Sequence, residues 1–222
     1  MPTTLDQEPT AGVLGGLLEA ERGGDLDAIA ASGLTGSESF PLHLDAASRA
    51  DLLKDVYMSV SAEGGRLLYL LARATGARTV VEYGTSLGIS AIYLAAAVRD
   101  NGGGRVIGTE IQPEKAARAN RSFAAAGLAG EIELRVGDAR ETLRDLPGPV
   151  DLLLLDGWPD LGLDVLRVVE PALRPGSLVL VDDVEMNFGA DVHGPLLEYL
   201  AGDGYVALRL PMADGIQVAV RL

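Results

Sequence analysis

From residue 77 onward the chain alternates short aliphatic runs with helical segments, and this constrains its fold more than any other feature. Residues 79–83, 105–110, 131–136, 151–155 and 177–181 read as strands. Residues 90–98, 113–126 and 161–173 read as helices, with Pro113 suited to a first helical turn and Arg174-Pro175-Gly176 closing the last of them. Such alternation builds a parallel sheet with helices on both faces. The run 151–155 is almost purely aliphatic, as expected for a strand covered on both sides. The end of the chain differs: residues 205–210 and 216–221 read as strands joined by Pro211-Met212-Ala213-Asp214-Gly215, an antiparallel hairpin. The expected fold class is α/β, a seven-stranded, mostly parallel sheet whose last strand is antiparallel.

The leader follows another pattern. Residues 1–10 read as a loose tail, and 12–73 as helical, broken at Gly23-Gly24 and across 33–41. One helix is expected over 46–60 and another over 63–75. This divides the chain into a tail and helical cap, 1–57, and a main domain, 58–222, in one compact unit. A length of 222 residues suffices for a substantial core. The absence of cysteine excludes disulfides, a thiolate nucleophile and cysteine-ligated zinc. A net charge of −14, with lysines and arginines scattered singly, argues against nucleic acid as a partner. No apolar run is long enough to span a bilayer, so no membrane partner is expected. The first ten residues carry Asp6 and Glu8 and no basic stretch, unlike a secretory signal, so a cytoplasmic location is expected.

Open α/β sheets bind ligands beyond the carboxyl ends of their strands. The first strand ends in Glu82-Tyr83-Gly84-Thr85-Ser86-Leu87-Gly88, a glycine-flanked turn opening into a helix. Gly84 permits a sharp turn, and Gly88 is expected to let a ligand approach. The spacing is not Gly-x-Gly-x-x-Gly, which disfavours a diphosphate cradle and a nicotinamide oxidoreductase. Glu110, ending the second strand before Ile111, is placed to accept hydrogen bonds from ribose hydroxyls, and Glu82 to assist. After the third strand, Asp138-Ala139 is placed over an adenine; Asp138 reads equally as a helix N-cap. Asp156 and Asp182-Asp183 follow two further strands. Carboxylates gathered at one rim repel one another, and a hard divalent cation such as Mg²⁺ relieves that repulsion. The alternative is that these aspartates cap loops or bind polar substrate atoms. Trp158 reads either as a pocket wall or as core. His43 and His193 are bases on paper, but lone loop histidines are usually exposed.

These residues resemble the Rossmann-like class I S-adenosylmethionine-dependent methyltransferases, most closely the catechol and caffeoyl-CoA O-methyltransferase group, from about residue 58 to 215. Met58-Ser59-Val60 is similar to the segment covering the methionine end of the cofactor in that group. Glu82 to Ser90 is similar to its first glycine motif, and Glu110-Ile111-Gln112-Pro113 to the stretch whose acid holds the ribose. Asp156-Gly157-Trp158 and Asp182-Asp183 resemble its metal-ligand segments, and Leu173-Arg174-Pro175-Gly176 a turn common in the class. The resemblance implies a cofactor site of Met58, Ser59, Val60, Glu82, Gly84, Ser86, Gly88, Ser90, Glu110, Ile111, Asp138, Ala139, Asp156 and Trp158. It implies a metal site of Asp156, Asp182 and Asp183.

The chain departs from the group at one position. Where catechol-type enzymes carry a lysine base, three residues after the first metal-ligand aspartate, this sequence has Pro159. Asp160 is the nearby substitute, so Asp156 and Asp160 are the expected catalytic residues. The expected activity is O-methylation of a small hydroxylated acceptor, catechol-like in one form, with Mg²⁺. Metal-independent methyl transfer and a cofactor-binding protein without catalysis are the alternatives. A homodimer is expected by analogy alone.

Overall fold

The computed structural model describes residues 2–35, 39–212 and 215–222. Its centre is a seven-stranded sheet in the order β3-β2-β1-β4-β5-β7-β6. The strands are β1 (Thr79–Tyr83), β2 (Arg105–Glu110), β3 (Ile132–Val136), β4 (Val150–Leu155), β5 (Leu173–Val181), β6 (Tyr205–Leu210) and β7 (Ile216–Arg221). Strands β1 to β5 pair in parallel. Only β7 is reversed, pairing antiparallel with both β5 and β6.

Side chains alternate across the sheet and feed two cores. Val80, Leu152, Leu154, Leu178 and Leu180 face α3 (Ala62–Thr75), α4 (Ile89–Asp100) and α5 (Pro113–Ala125). Val81, Leu153, Leu155, Val179 and Val181 face α6 (Ala139–Thr142), α7 (Gly162–Val169) and α8 (Gly194–Leu200). Helix α4 is buried from Ile89 to Val98, which is why its sequence is almost entirely alanine and aliphatic. Asp45, Ser61 and Gln112 cap α2 (Ala46–Leu52), α3 and α5 through their side chains.

Both hairpin strands lie where the sequence places them; Ala213-Asp214 of the connection, and residues 36–38 of the leader break, lie outside the described residues. Five local readings differ. The segment expected as a loose tail carries a 3₁₀ turn, Thr4–Asp6, whose Thr4 amide and hydroxyl donate to Asp100 at the end of α4. Helix α1 (Thr10–Ser32) runs unbroken through Gly23-Gly24. Two glycines weaken a helix without ending it, and α1 is anchored by Leu14 in the core and by the Thr10 hydroxyl on the Ala126 carbonyl. It stops at Gly33, in the left-handed conformation. The helix expected over 46–60 ends at Leu52, because the Tyr57 and Met58 amides donate to the Asp25 carboxylate and Met58 has φ +45°. The helix expected over 161–173 is α7 flanked by the 3₁₀ turns Pro159–Leu161 and Glu170–Ala172, each containing a proline. Strand β5 begins earlier than expected, because Leu173 already pairs with Val150 before the register shifts. No helix among the described residues is long and apolar enough to cross a membrane.

Candidate active site

Strand β1 has β2 on one side and β4 on the other, so the chain reverses its winding there, and a cleft of about 810 Å³, mouth included, opens above this point. Its walls come from the segments following β1 to β5 and from the leader. Gly84, at φ +93°, turns the chain where β1 and β4 run so close that a Cβ would strike the Asp156 carbonyl. Three non-glycine residues hold positive φ among those described, namely Met58, Ser86 and Asp183, and all three line this cleft. Such conformations cost free energy and gather where a site needs them.

Glu110, at the end of β2, accepts from the Ser86 amide on Oε2 and the Gln112 amide on Oε1, each at 2.8 Å. It lines the cleft with Ile111. Across from it, Asp138 and Ala139 line the wall above β3. Asp138 caps α6, accepting from the Arg140 amide at 2.9 Å, and pairs with the Arg140 guanidinium while also lining the cleft. The 57–58 segment, whose Met58 lines the cleft, is tied by the Ser86 hydroxyl, which donates to the Tyr57 carbonyl at 2.6 Å, and by Asp25. Met58, Gly84, Ser86, Asp156 and Trp158 complete the expected residues that reach the cleft.

Ser59, Val60, Glu82, Gly88 and Ser90 do not line it. Gly88 is a correction: its missing Cβ points toward the Phe123 ring and Ala119 of α5, so the glycine serves helix packing and not ligand approach. Glu82 is fully buried, with Oε2 accepting from the Thr85 hydroxyl at 2.6 Å and Oε1 without a well-formed partner among the described residues. Burial pushes its carboxyl up to about 7 against the neighbouring Ser90 and Thr85 hydroxyls, which lower it, and Glu110 raises it further.

Asp156 faces the cleft with its carboxyl held well above the usual carboxylate range, first by burial and then by the charges of Asp182, Asp183 and Glu82. Asp183 lines the cleft and Asp182 does not. Among the described residues no group of three or more histidine, cysteine, aspartate or glutamate side chains is arranged to hold a metal ion, so the expected three-aspartate cage is not formed as it stands. The donor chemistry, hard oxygens under mutual repulsion, is nevertheless that of a hard-cation site.

Asp160 has a different job from the one expected. Its two oxygens accept from Nη1 and Nη2 of Arg49 at 2.7 and 2.8 Å. The guanidinium is buried and lies over the Phe40 and Trp158 rings, 5.8 and 5.4 Å from their centroids. Trp158 Nε1 donates to the Ala46 carbonyl at 3.1 Å. Together these contacts dock α2 against the loop after β4. Trp158 is therefore a wall, as one of the two sequence readings had it. His193, expected to be exposed, is only 7% exposed, and burial holds its pKa down, opposed by the Asp183 backbone and the Asp191 charge. His43 is exposed.

Sequence reasoning missed Asp25, Phe40, Arg49, Lys115 and Phe188. Phe40, Lys115 and Phe188 line the cleft directly. Only Lys115 carried a local signal, lying five residues after Glu110 in the first turn of α5.

The cleft fits S-adenosylmethionine by its acid above β2, its wall above β3 and its strap at 57–58. Comparison with known proteins agrees. A family described as a methyltransferase domain matches residues 81–184. A catechol O-methyltransferase from Mycobacterium tuberculosis is 34% identical over 181 residues, 81% of this chain and 75% of that protein. The O-methyltransferase TomG from Streptomyces achromogenes, solved with S-adenosylmethionine, is 26% identical with a TM-score of 0.67, covering 90% of this chain and 98% of that one. An O-methyltransferase from Bacillus cereus, solved with S-adenosylhomocysteine, has the same fold at 22% identity and a TM-score of 0.67, covering 89% and 90% of the two chains. The chain belongs to the class I S-adenosylmethionine-dependent O-methyltransferases.

Proposed function

We propose that this enzyme methylates a hydroxyl of a small aromatic acceptor, with a catechol-like vicinal diol as the preferred form. The observation that carries this reading is the aromatic end of the cleft. Phe40 packs against Trp158 and Phe188 at centroid distances of 5.6 and 5.3 Å, and all three line the cleft beside Asp156 and Asp183. Aromatic walls suit a planar ring, and the carboxylates suit its hydroxyls. The relative from M. tuberculosis bears the name catechol O-methyltransferase. S-adenosylmethionine, when bound, would supply the methyl group, and the acceptor hydroxyl would give up its proton as its oxygen is methylated. The chain supplies position, with Glu110 holding the ribose, the 57–58 segment covering the methionine end and the aromatic walls setting the acceptor plane.

The proposal includes a divalent cation held by Asp156, Asp182 and Asp183, which would lower the acceptor hydroxyl pKa. The repulsion that raises Asp156 supports it. A second reading, metal-independent transfer, is favoured by the unformed cage and by Pro159 in place of the group's lysine. Mass spectrometry of dihydroxybenzoate incubated with enzyme and methyl-labelled S-adenosylmethionine, with Mg²⁺ or with EDTA, separates the readings. Labelled product only with Mg²⁺ supports the first. Equal product in both supports the second. No product from any of a panel of phenols and catechols sinks the acceptor assignment.

A further inference from the structure

The cleft holds a buried cation that no step above uses. Lys115 lines the cleft while only 4% exposed. Among the described residues its ammonium makes one hydrogen bond, to Ser86 Oγ at 3.1 Å, and no carboxylate comes within 4.0 Å of it. That hydroxyl has already given its own proton to the Tyr57 carbonyl. An ammonium has three protons to donate, and burying one with a single neutral acceptor is unfavourable. The remaining donors are available to a ligand in the cleft.

The network around Lys115 narrows what that ligand offers. Ser86 joins the two charges: its hydroxyl accepts from Lys115 and its amide donates to Glu110. Glu110 is also the strongest charge acting on Lys115, ahead of Asp25 on α1, Arg118 on α5 and Asp55. Each Glu110 oxygen takes one backbone amide and keeps capacity for another donor. A vicinal diol that gives its protons to this carboxylate has oxygen lone pairs left over. Those lone pairs need donors, and the ammonium beside the acid has them.

We infer that Lys115 is a cofactor-binding residue, donating to the ribose hydroxyl oxygens of S-adenosylmethionine while Glu110 accepts their protons. The inference rests on S-adenosylmethionine as the cofactor and is independent of which acceptor is methylated. It has a proton-linkage consequence. Burial lowers the free Lys115 ammonium to about 8, with Glu110, Asp25 and Asp55 opposing that shift and Arg118 adding to it. Oxygen acceptors from the ribose favour the charged form and raise its pKa. Binding therefore takes up protons just above pH 8, and affinity falls as pH rises further.

Calorimetric titration of S-adenosylhomocysteine into the wild type and Lys115→Met tests this. Its 2′-deoxy, 3′-deoxy and decarboxylated analogues are titrated alongside, in two buffers of different ionisation enthalpy. Loss of a charged hydrogen bond predicts roughly tenfold weaker binding of the intact ligand by the variant. The penalty should shrink to about twofold or less for at least one deoxy analogue, taking additivity of uncoupled changes as reference. Proton uptake just above pH 8 should be present in the wild type and absent in the variant. An equal penalty for intact and both deoxy ligands would overturn the inference, since it marks a structural role. A penalty that vanishes only with the decarboxylated ligand would overturn it in favour of the methionine carboxylate. Because the ligands are compared within one variant, altered stability of that variant does not blur the result. A wild type that binds no S-adenosylhomocysteine would overturn the cofactor assignment beneath it.

Discussion

Asp160→Asn distinguishes a latch from a proton acceptor. The Arg49 side chain is 3% exposed and among the described residues its Nε has no hydrogen-bond partner, so the guanidinium leans on the Asp160 carboxylate. Removing one partner of a buried ion pair costs about 3–5 kcal/mol because the other charge is left uncompensated. Asp160 itself is 31% exposed, which places the expected loss at the lower end, about 3 kcal/mol. For a chain of this size that lowers the melting temperature by about 6–12 °C. Arg49→Met should cost a similar amount, and the double variant no more than either single one, giving a coupling energy of about 3 kcal/mol. The loss should centre on α2, so amide exchange there should quicken and the acceptor KM should rise. At saturating acceptor, kcat should stay within about threefold, since a latch does no proton transfer. A general base contributes about 10²–10⁴ in rate. A hundredfold fall in kcat with unchanged melting temperature would refute the latch and restore Asp160 as the base.

Gly88→Ala should destabilise by about 2–4 kcal/mol, combining overpacking against Phe123 with a strained left-handed backbone, while the folded protein keeps its affinity for S-adenosylhomocysteine; weakened binding without loss of stability would return the glycine to the cofactor cradle. Glu82 is an acid whose folded pKa is raised, so it favours the folded state only while protonated. Stability should therefore fall as pH rises from about 4.5 to about 7, and Glu82→Gln should flatten that limb in thermal melts. Asp156→Asn removes a partly buried carboxylate repelled by Asp182 and Asp183, so the metal-free protein should gain stability at neutral pH while methyl transfer is lost. A variant that is both less stable and fully active contradicts that account.

The parts of the fold legible in the sequence are those where burial dictates composition. The aliphatic run of β4 and the short β6 and β7 strands were legible from their length and the turn residues that bound them. The leader was less legible because tertiary bonds decide it: Asp25 pulls residues 57 and 58 out of a helix whose apolar spacing continues past Leu52. The candidate site divides along the same line. Glu110 ends β2, and Asp138 and Asp156 follow strand ends, so these were placed by position, whereas Ser86 came only from the family resemblance. Arg49 and Asp160 lie 111 residues apart, and no spacing rule joins them. Glycine at position 88 had two physical uses, ligand approach and helix packing, and only the neighbouring Phe123 ring decides between them.

The most direct test of the account is calorimetric binding of S-adenosylmethionine to the wild type and to Glu110→Ala, whose carboxylate lines the cleft on two backbone amides. The account predicts one cofactor per chain for the wild type and at least tenfold weaker binding for the variant, the loss of charged hydrogen bonds. No binding by the wild type, or equal binding by both, would contradict it.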